Sequence, residues 1–216
     1  MQRKKTTVNG SLILGFCLIF SAAAGLAAQD KADALAVYKL GKFEQAAKIC
    51  LEELKEMPKN MNSYVVLGWS LLRLSRYQEA LQYARQAMAV SRYDNRIIAI
   101  AGEALYNLGQ YLEALKHLEE YVAVSPTGNQ IHEIYFFMGE IFIRLGEFNH
   151  ADIALTAAVY HDPNSANWWS RLGYAREQAK DYKAALEAYN KSLQLNTGLG
   201  DALRGKQRVQ AFVSGG

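Results

Sequence analysis

The sequence predicts an all-α solenoid of about five helix-turn-helix units closed by a C-terminal helix, and three observations carry that prediction. The first is a beat of small residues. Ala46, Ala80, Ala114, Ala151 and Ala185 stand 34, 34, 37 and 34 residues apart. Three positions before each lies a ring (Phe43, Tyr77, Tyr111, Phe148, Tyr182), and twelve before each lies Ala34, Gly68, Gly102, Gly139 or Gly173. A fixed period of this length marks stacked supersecondary units. The second is composition: three prolines in 216 residues, an abundance of Ala, Leu, Glu, Gln and Lys, and no sustained Val/Ile/Thr alternation, which together favour helices over strands. The third is that half the residues are apolar, enough to fill a continuous core along a stack.

The chain opens with a segment outside the array. Arg3, Lys4 and Lys5 precede an apolar run from Ser11 to Ala24, and Gly25, Ala27 and Ala28 supply small residues before Gln29. That order predicts a secretory signal peptide over residues 1–28. The competing reading is an uncleaved membrane anchor, since residues 12–28 carry no charge and reach the lower limit for spanning a bilayer. The three bases of this segment equal the net charge of +3 for the whole chain, so the balance from residue 29 onward is zero. Nucleic-acid binding thereby loses its main physical driver. Of Cys17 and Cys50 only Cys50 lies beyond the segment, which excludes an intramolecular disulfide in the processed chain and favours a buried structural thiol.

Counting each unit so that its alanine falls at position 20 divides the array, residues 29–199, into residues 29–60, 61–94, 95–128, 132–165 and 166–199. In the third unit Ile98, Ala101, Gly102 and Leu105 form one helical stripe, and Tyr111, Ala114, Leu115 and Leu118 form the next. Gly109 stands between them where a left-handed residue ends the first helix, as do Gly41 and Gly146, whereas Ser75 and Lys180 depart from glycine. Pro58, Pro126 and Pro163 end second helices. The first unit has Asp30 and Asp33 at apolar positions, so its first helix is expected to be short and polar, as terminal repeats are. Asn129, Gln130 and Ile131 are an insertion expected to alter stacking between the third and fourth units. After Thr197-Gly198-Leu199-Gly200, Asp201 is expected to cap a last helix to about Val213, with Leu203, Val209, Phe212 and Val213 on its apolar side and a frayed tail at Gly215 and Gly216.

These units resemble the tetratricopeptide repeat, whose pattern places an aromatic at 4, Leu at 7, Gly or Ala at 8 and Ala at 20 and 27. Tyr64, Leu67, Gly68, Ala80 and Ala87 match in the second unit; Tyr135, Gly139, Ala151, Ala158 and Pro163 in the fourth; Trp169, Leu172, Gly173, Ala185 and Tyr189 in the fifth. The resemblance implies a right-handed superhelical solenoid whose first helices line a concave face. Positions 2, 5, 9, 12 and 13 of those helices would point into it. The candidate binding groove then comprises Val65, Trp69, Leu72, Arg73, Arg96, Glu103, Tyr106, Asn107, Phe136, Glu140, Ile143, Arg144, Tyr174 and Gln178, with Asn62, Ala99, Glu133, Asn167, Ser170 and Glu177 at the remaining equivalent positions. Trp, Tyr and Arg are the usual anchors of binding surfaces. The bland alternative is that some of these rings pack on one another. The family's receptors for chaperone tails hold a terminal carboxylate through a Lys/Asn set that fails here, where Leu35, Val66 and Ile100 stand at its positions.

Chemistry is sparse. His117, His132, His150 and His161 form no i, i+3 or i, i+4 pair, and His132-Glu133 is followed at 136 by Phe, so the helical zinc motif is incomplete. There is no G-x-S-x-G and no phosphate-cradling glycine loop. The expectation is a non-enzymatic protein without cofactor or metal: an interaction scaffold of the bacterial cell envelope, secreted or periplasmic, binding a protein or peptide. Contact with the membrane is expected only if residues 12–28 remain. A transport accessory for a small apolar ligand is the alternative, and a regulatory subunit of an enzyme complex a more distant one.

Overall fold

The computed structural model describes residues 33–214; the expected signal segment, the start of the array at residues 29–32 and the last two glycines lie outside the described residues. Eleven helices occur among the described residues: α1 (Ala34–Lys39), α2 (Phe43–Glu56), α3 (Met61–Arg73), α4 (Tyr77–Val90), α5 (Asn95–Asn107), α6 (Tyr111–Val124), α7 (Ile131–Leu145), α8 (Phe148–His161), α9 (Ala166–Gln178), α10 (Tyr182–Leu195) and α11 (Gly200–Val213). They pair consecutively into five helix-turn-helix units, and α11 follows the fifth. None of the described helices is long and apolar enough to cross a membrane.

Two different devices start the helices. Four first helices are capped by a side chain that accepts from exposed N–H groups: Asp33, Asn60, Asp94 and Ser165. The second helices begin directly on the ring residue, because the end of the first helix delivers the chain there. In the third unit Gly109 adopts φ 75° and the N–H groups of Gly109 and Gln110 donate to the carbonyls of Tyr106 and Leu105, a Schellman closure. The same pair of bonds recurs in every unit. Ser75 and Lys180 keep the left-handed backbone, with φ 58° and 66°, despite their side chains. The geometry therefore survives where the glycine does not.

Packing explains the beat. All five alanines are fully buried. The small residue at position 8, however, is required less by the alanine than by the residue at 24, one turn further along the second helix. A Cβ on Gly102, Gly139 or Gly173 would come within 2.6, 2.5 or 2.7 Å of Leu118, Leu155 or Tyr189. In the second unit position 24 is Ala84, and the space over Gly68 is taken instead by Ile100 of α5, in the next unit. The knob comes from a different helix, but the hole is filled either way.

The insertion has a structural partner. Ile131 belongs to α7 and is buried, so only Asn129 and Gln130 remain in the connection, and Gln130 provides no side-chain cap. Position 27, small in the second and fourth units, is Tyr121 here; the ring is buried and its hydroxyl accepts from the Gln130 N–H at 3.4 Å. Packing between α6 and α7 is sparser than at the other unit boundaries.

First helices touch the first helices on either side, from α1 through to α11, while the backbones of second helices stay further apart and meet only through long side chains, as in the Arg85–Glu113 ion pair at 2.8 Å. A stack held together on one side and parted on the other curves toward the held side, which makes the first-helix face concave. The core follows that face: one apolar cluster runs from Ala34 to Ile141, and smaller clusters continue through α8–α10 and into α11. Cys50 lies in it, fully buried, its thiol pushed up to about 12 by burial with the charge of Glu53 adding.

The last helix differs from expectation in its face and cap. It buries Ala202, Gly205 and Val209, whereas Leu203 and Phe212 are 48% and 59% exposed and Val213 is exposed as well. The reason is Tyr189: its ring occupies the place where a Gly205 Cβ would be, so the helix must present its smallest residue there. Phe212 stacks instead on the Tyr182 ring at 4.3 Å. The residue preceding the helix is Leu199, and Asp201 lies in the first turn, where it pairs with Arg204.

Three substitutions separate these constraints. Ala114→Leu forces extra methylenes into a filled contact and is expected to cost roughly 1–3 kcal/mol in denaturant unfolding. At Lys180 the strain is in the backbone alone, so Lys180→Gly is expected to stabilise by about 0.5–1 kcal/mol in the same measurement, while Gly109→Ala, whose Cβ meets nothing within 4 Å, should destabilise by about 1 kcal/mol.

Candidate functional site

The concave face contains a groove at its centre, with a cavity of about 450 Å³. Every first helix up to α9 contributes. Tyr38 comes from α1; Trp69, Leu72 and Arg73 from one face of α3; Glu103 from α5; Glu133, Phe136 and Phe137 from α7; Trp168 from α9; and Gln130 from the connection before α7. The spacings i, i+3 and i+4 place residues of one helix on the same side, and stacking of successive helices brings the sides into line.

The rings are mutually supported. Phe136 and Trp168 stack with centroids 5.0 Å apart and planes 15° apart. Trp69 leans on Tyr38 at 5.9 Å, and Phe137 bridges to Tyr106 at 5.1 Å. Three charges share the cavity: Arg73, Glu103 and Glu133. The Tyr38 hydroxyl holds the Arg73 guanidinium in its charged form against the cost of burial, with attraction from both glutamates added. Burial raises the Glu103 carboxyl above its ordinary range; Arg73 opposes that shift and Glu133 adds to it.

Of the residues expected at the groove, Trp69, Leu72, Arg73, Glu103 and Phe136 meet at this cavity, joined by Glu133. Val65 is buried, 1% exposed, and with Arg96 borders a neighbouring depression of about 340 Å³ that Trp69 also lines. Arg96 is ion-paired to Asp94 at 2.6 Å and donates to Asn62 at 3.1 Å. Tyr106 accepts from Arg144 at 3.2 Å, and the Arg144 guanidinium lies over the rings of Tyr106 and Tyr111. The Asn107 amide donates to the Glu103 backbone carbonyl, Ile143 packs on the core beside α8 and α9, and Gln178 is exposed at the end of α9. Tyr174 lies under the Arg171 guanidinium, 5.1 Å from centroid to Cζ.

Glu140 is 6% exposed and takes a bidentate pair from Arg171, at 2.5 and 3.1 Å. Burial works against the charge of Arg171, but the hydrogen bonds and the charge of Glu140 together outweigh it and hold the guanidinium charged. This pair ties α7 to α9 beside the groove.

Sequence reasoning missed Tyr38, Phe137, Trp168 and Gln130. Tyr38 occupies position 12 of the first unit, the register of Leu72 and Tyr106, and the signal was available there. Phe137 and Trp168 occupy registers 6 and 3, which the family pattern does not direct inward. On the outer side, a depression of about 640 Å³ lies between α2 and α4 and includes Lys48, Glu52, Lys55, Glu44 and Arg76. Several of these charges pair with one another, Lys55 with Glu52 and Arg76 with Glu44. No group of three His, Cys, Asp or Glu residues is placed to hold a metal ion among the described residues.

Family models described as tetratricopeptide repeat match residues 31–94, 132–165 and 166–208. The chain belongs to the tetratricopeptide repeat family. No curated protein matches its sequence. Among solved structures, MamA from Desulfovibrio magneticus RS-1 is similar at 22% identity and TM-score 0.67, over 77% of this chain and 93% of that one. YrrB, described as a TPR protein with an unusual peptide-binding site, aligns at 20% identity and TM-score 0.66 over 81% and 88%. The Cut9-Hcn1 hetero-tetramer of the APC/C aligns at 18% identity and TM-score 0.72, over 82% of this chain and 35% of that one. At these identities the likeness establishes the fold.

The Glu140 pair gives a direct test of the scaffold under the groove. Arg171→Ala leaves a buried carboxylate uncompensated and, with Arg171 itself partly exposed, is expected to cost about 2–3 kcal/mol in thermal unfolding; combining it with Glu140→Gln should recover most of that loss.

Proposed function

We propose that this protein is a non-catalytic interaction scaffold of the bacterial cell envelope that binds a peptide or protein segment along its concave face. One observation carries the reading: rings from four of the five units converge on an open groove at the edge of the core. Large aromatic side chains held by neighbours and left facing a cavity are the usual anchors of recognition. The peptide-binding site named for YrrB, on a similar fold, supports the same use of this one. Export rests on the composition of residues 1–28, with an anchored form as the alternative, and a net charge of zero from residue 29 onward gives no footing for nucleic acid.

The test pairs binding with location. Phe136→Ala combined with Trp168→Ala should reduce capture of identified envelope proteins at least tenfold, an expected loss of about 1.4 kcal/mol or more, with helicity retained by circular dichroism. Undiminished capture refutes the groove reading, and a lipid co-purifying in native mass spectrometry would favour the small-ligand alternative. For location, cell fractionation with N-terminal sequencing should give a mature chain beginning near Gln29; retention of Met1 in a membrane fraction would establish the anchored form.

A further inference from the structure

The central groove holds more negative than positive charge, and its rings surround the excess. Glu103 and Glu133 come from successive first helices, while Arg73, from the unit before, is the lone cation lining the same cavity among the described residues. Other arginines of the first-helix face are engaged elsewhere: Arg96 with Asp94, Arg171 with Glu140, and Arg144 over Tyr106. One guanidinium, itself engaged by the Tyr38 hydroxyl, cannot neutralise two carboxylates. The raised carboxyl of Glu103 reflects the same shortfall: burial, reinforced by Glu133, outweighs the attraction of Arg73. Beside these carboxylates lie Trp69 and the stacked pair of Phe136 and Trp168. A ring face attracts a cation, most strongly when the ring is tryptophan.

We propose that the occupant of the groove is an extended peptide carrying a lysine or arginine side chain beside an aromatic or aliphatic one. The cation sits between Glu103 and Glu133, and the apolar neighbour lies on Phe136 and Trp168. This rests on reading the groove as a peptide site and adds the chemistry that the site selects. A cavity of about 450 Å³ accepts side chains of a strand and excludes the face of a folded domain. A basic side chain gains attraction from both carboxylates and from the rings at once. An acidic peptide meets two like charges and a single guanidinium that is already engaged, so the same groups that attract the one class repel the other.

The experiment pans the purified protein, as produced by its host, against a phage library of short random peptides, then measures the enriched peptides by fluorescence anisotropy. Peptides with Lys or Arg next to an aromatic or aliphatic residue are expected, and replacing the basic residue by Glu should weaken them about tenfold or more. Glu133→Gln and Glu103→Gln should each weaken binding about three- to tenfold, whereas Arg73→Gln, which removes that positive charge from the groove, should tighten it. Glu133 is exposed, so its variant cannot owe its effect to misfolding. Enrichment of acidic peptides, or of peptides read through a terminal carboxylate and lost on Arg73→Gln, overturns the selectivity while leaving the groove a peptide site. Failure to enrich any peptide overturns both.

Discussion

How closely two antiparallel helices can approach within a unit governs everything built on it. The approach is set by a side chain at position 24 entering the space above a residue without a Cβ, next to an alanine that leaves no gap. Widening that contact would shift the second helix, and with it the surface offered to the next first helix. Because each unit repeats the relation, small tolerances would accumulate along the stack, as expected for quasi-one-dimensional folds. The exchange at Gly68, where Ile100 substitutes for a knob that Ala84 cannot provide, shows that volume is conserved across the boundary between units and not just within them.

The backbone divides its labour accordingly. Four of the five first helices receive side-chain caps because they start after a connection that can place an Asp, Asn or Ser, while among the described second helices only α10 has one, from Asp181. Second helices start in the same few residues that terminate the first, so their entry angle is fixed by hydrogen bonds of the main chain. Rigid links at one end and adjustable links at the other let the third and fourth units accommodate two residues in their connection without losing the stack, with the Tyr121 ring filling the enlarged space.

Sequence made the stack legible because the small residues recur on a period that side-chain volume enforces. It showed the left-handed turns at Gly41, Gly109 and Gly146 but not at Ser75 and Lys180, where neighbouring bonds impose a conformation the residue does not favour. The face of α11 was hidden because hydrophobicity pointed to Leu203 and Phe212, whereas the fit against Tyr189 demanded a residue without a side chain. In the groove, the repeat register led to Trp69, Arg73, Glu103 and Phe136. Register alone could not distinguish a residue facing the cavity from one such as Glu140, whose partner Arg171 lies 31 positions away, because the difference is made by a neighbouring helix.

The close approach of successive first helices, and the wider spacing of second helices that meet only through side chains, also has a mechanical meaning. When a curved rod bends, the line along its tightest connections keeps its length and the opposite side takes up the strain. Here the first helices approach one another beneath the groove, and the backbones of the second helices do not. Flexing would therefore spread or gather the second helices like the ribs of a fan while the spacing of Trp69, Phe136 and Trp168 changes little. The array can yield to a bulky neighbour on its outer side and still present the same arrangement of rings on its inner one.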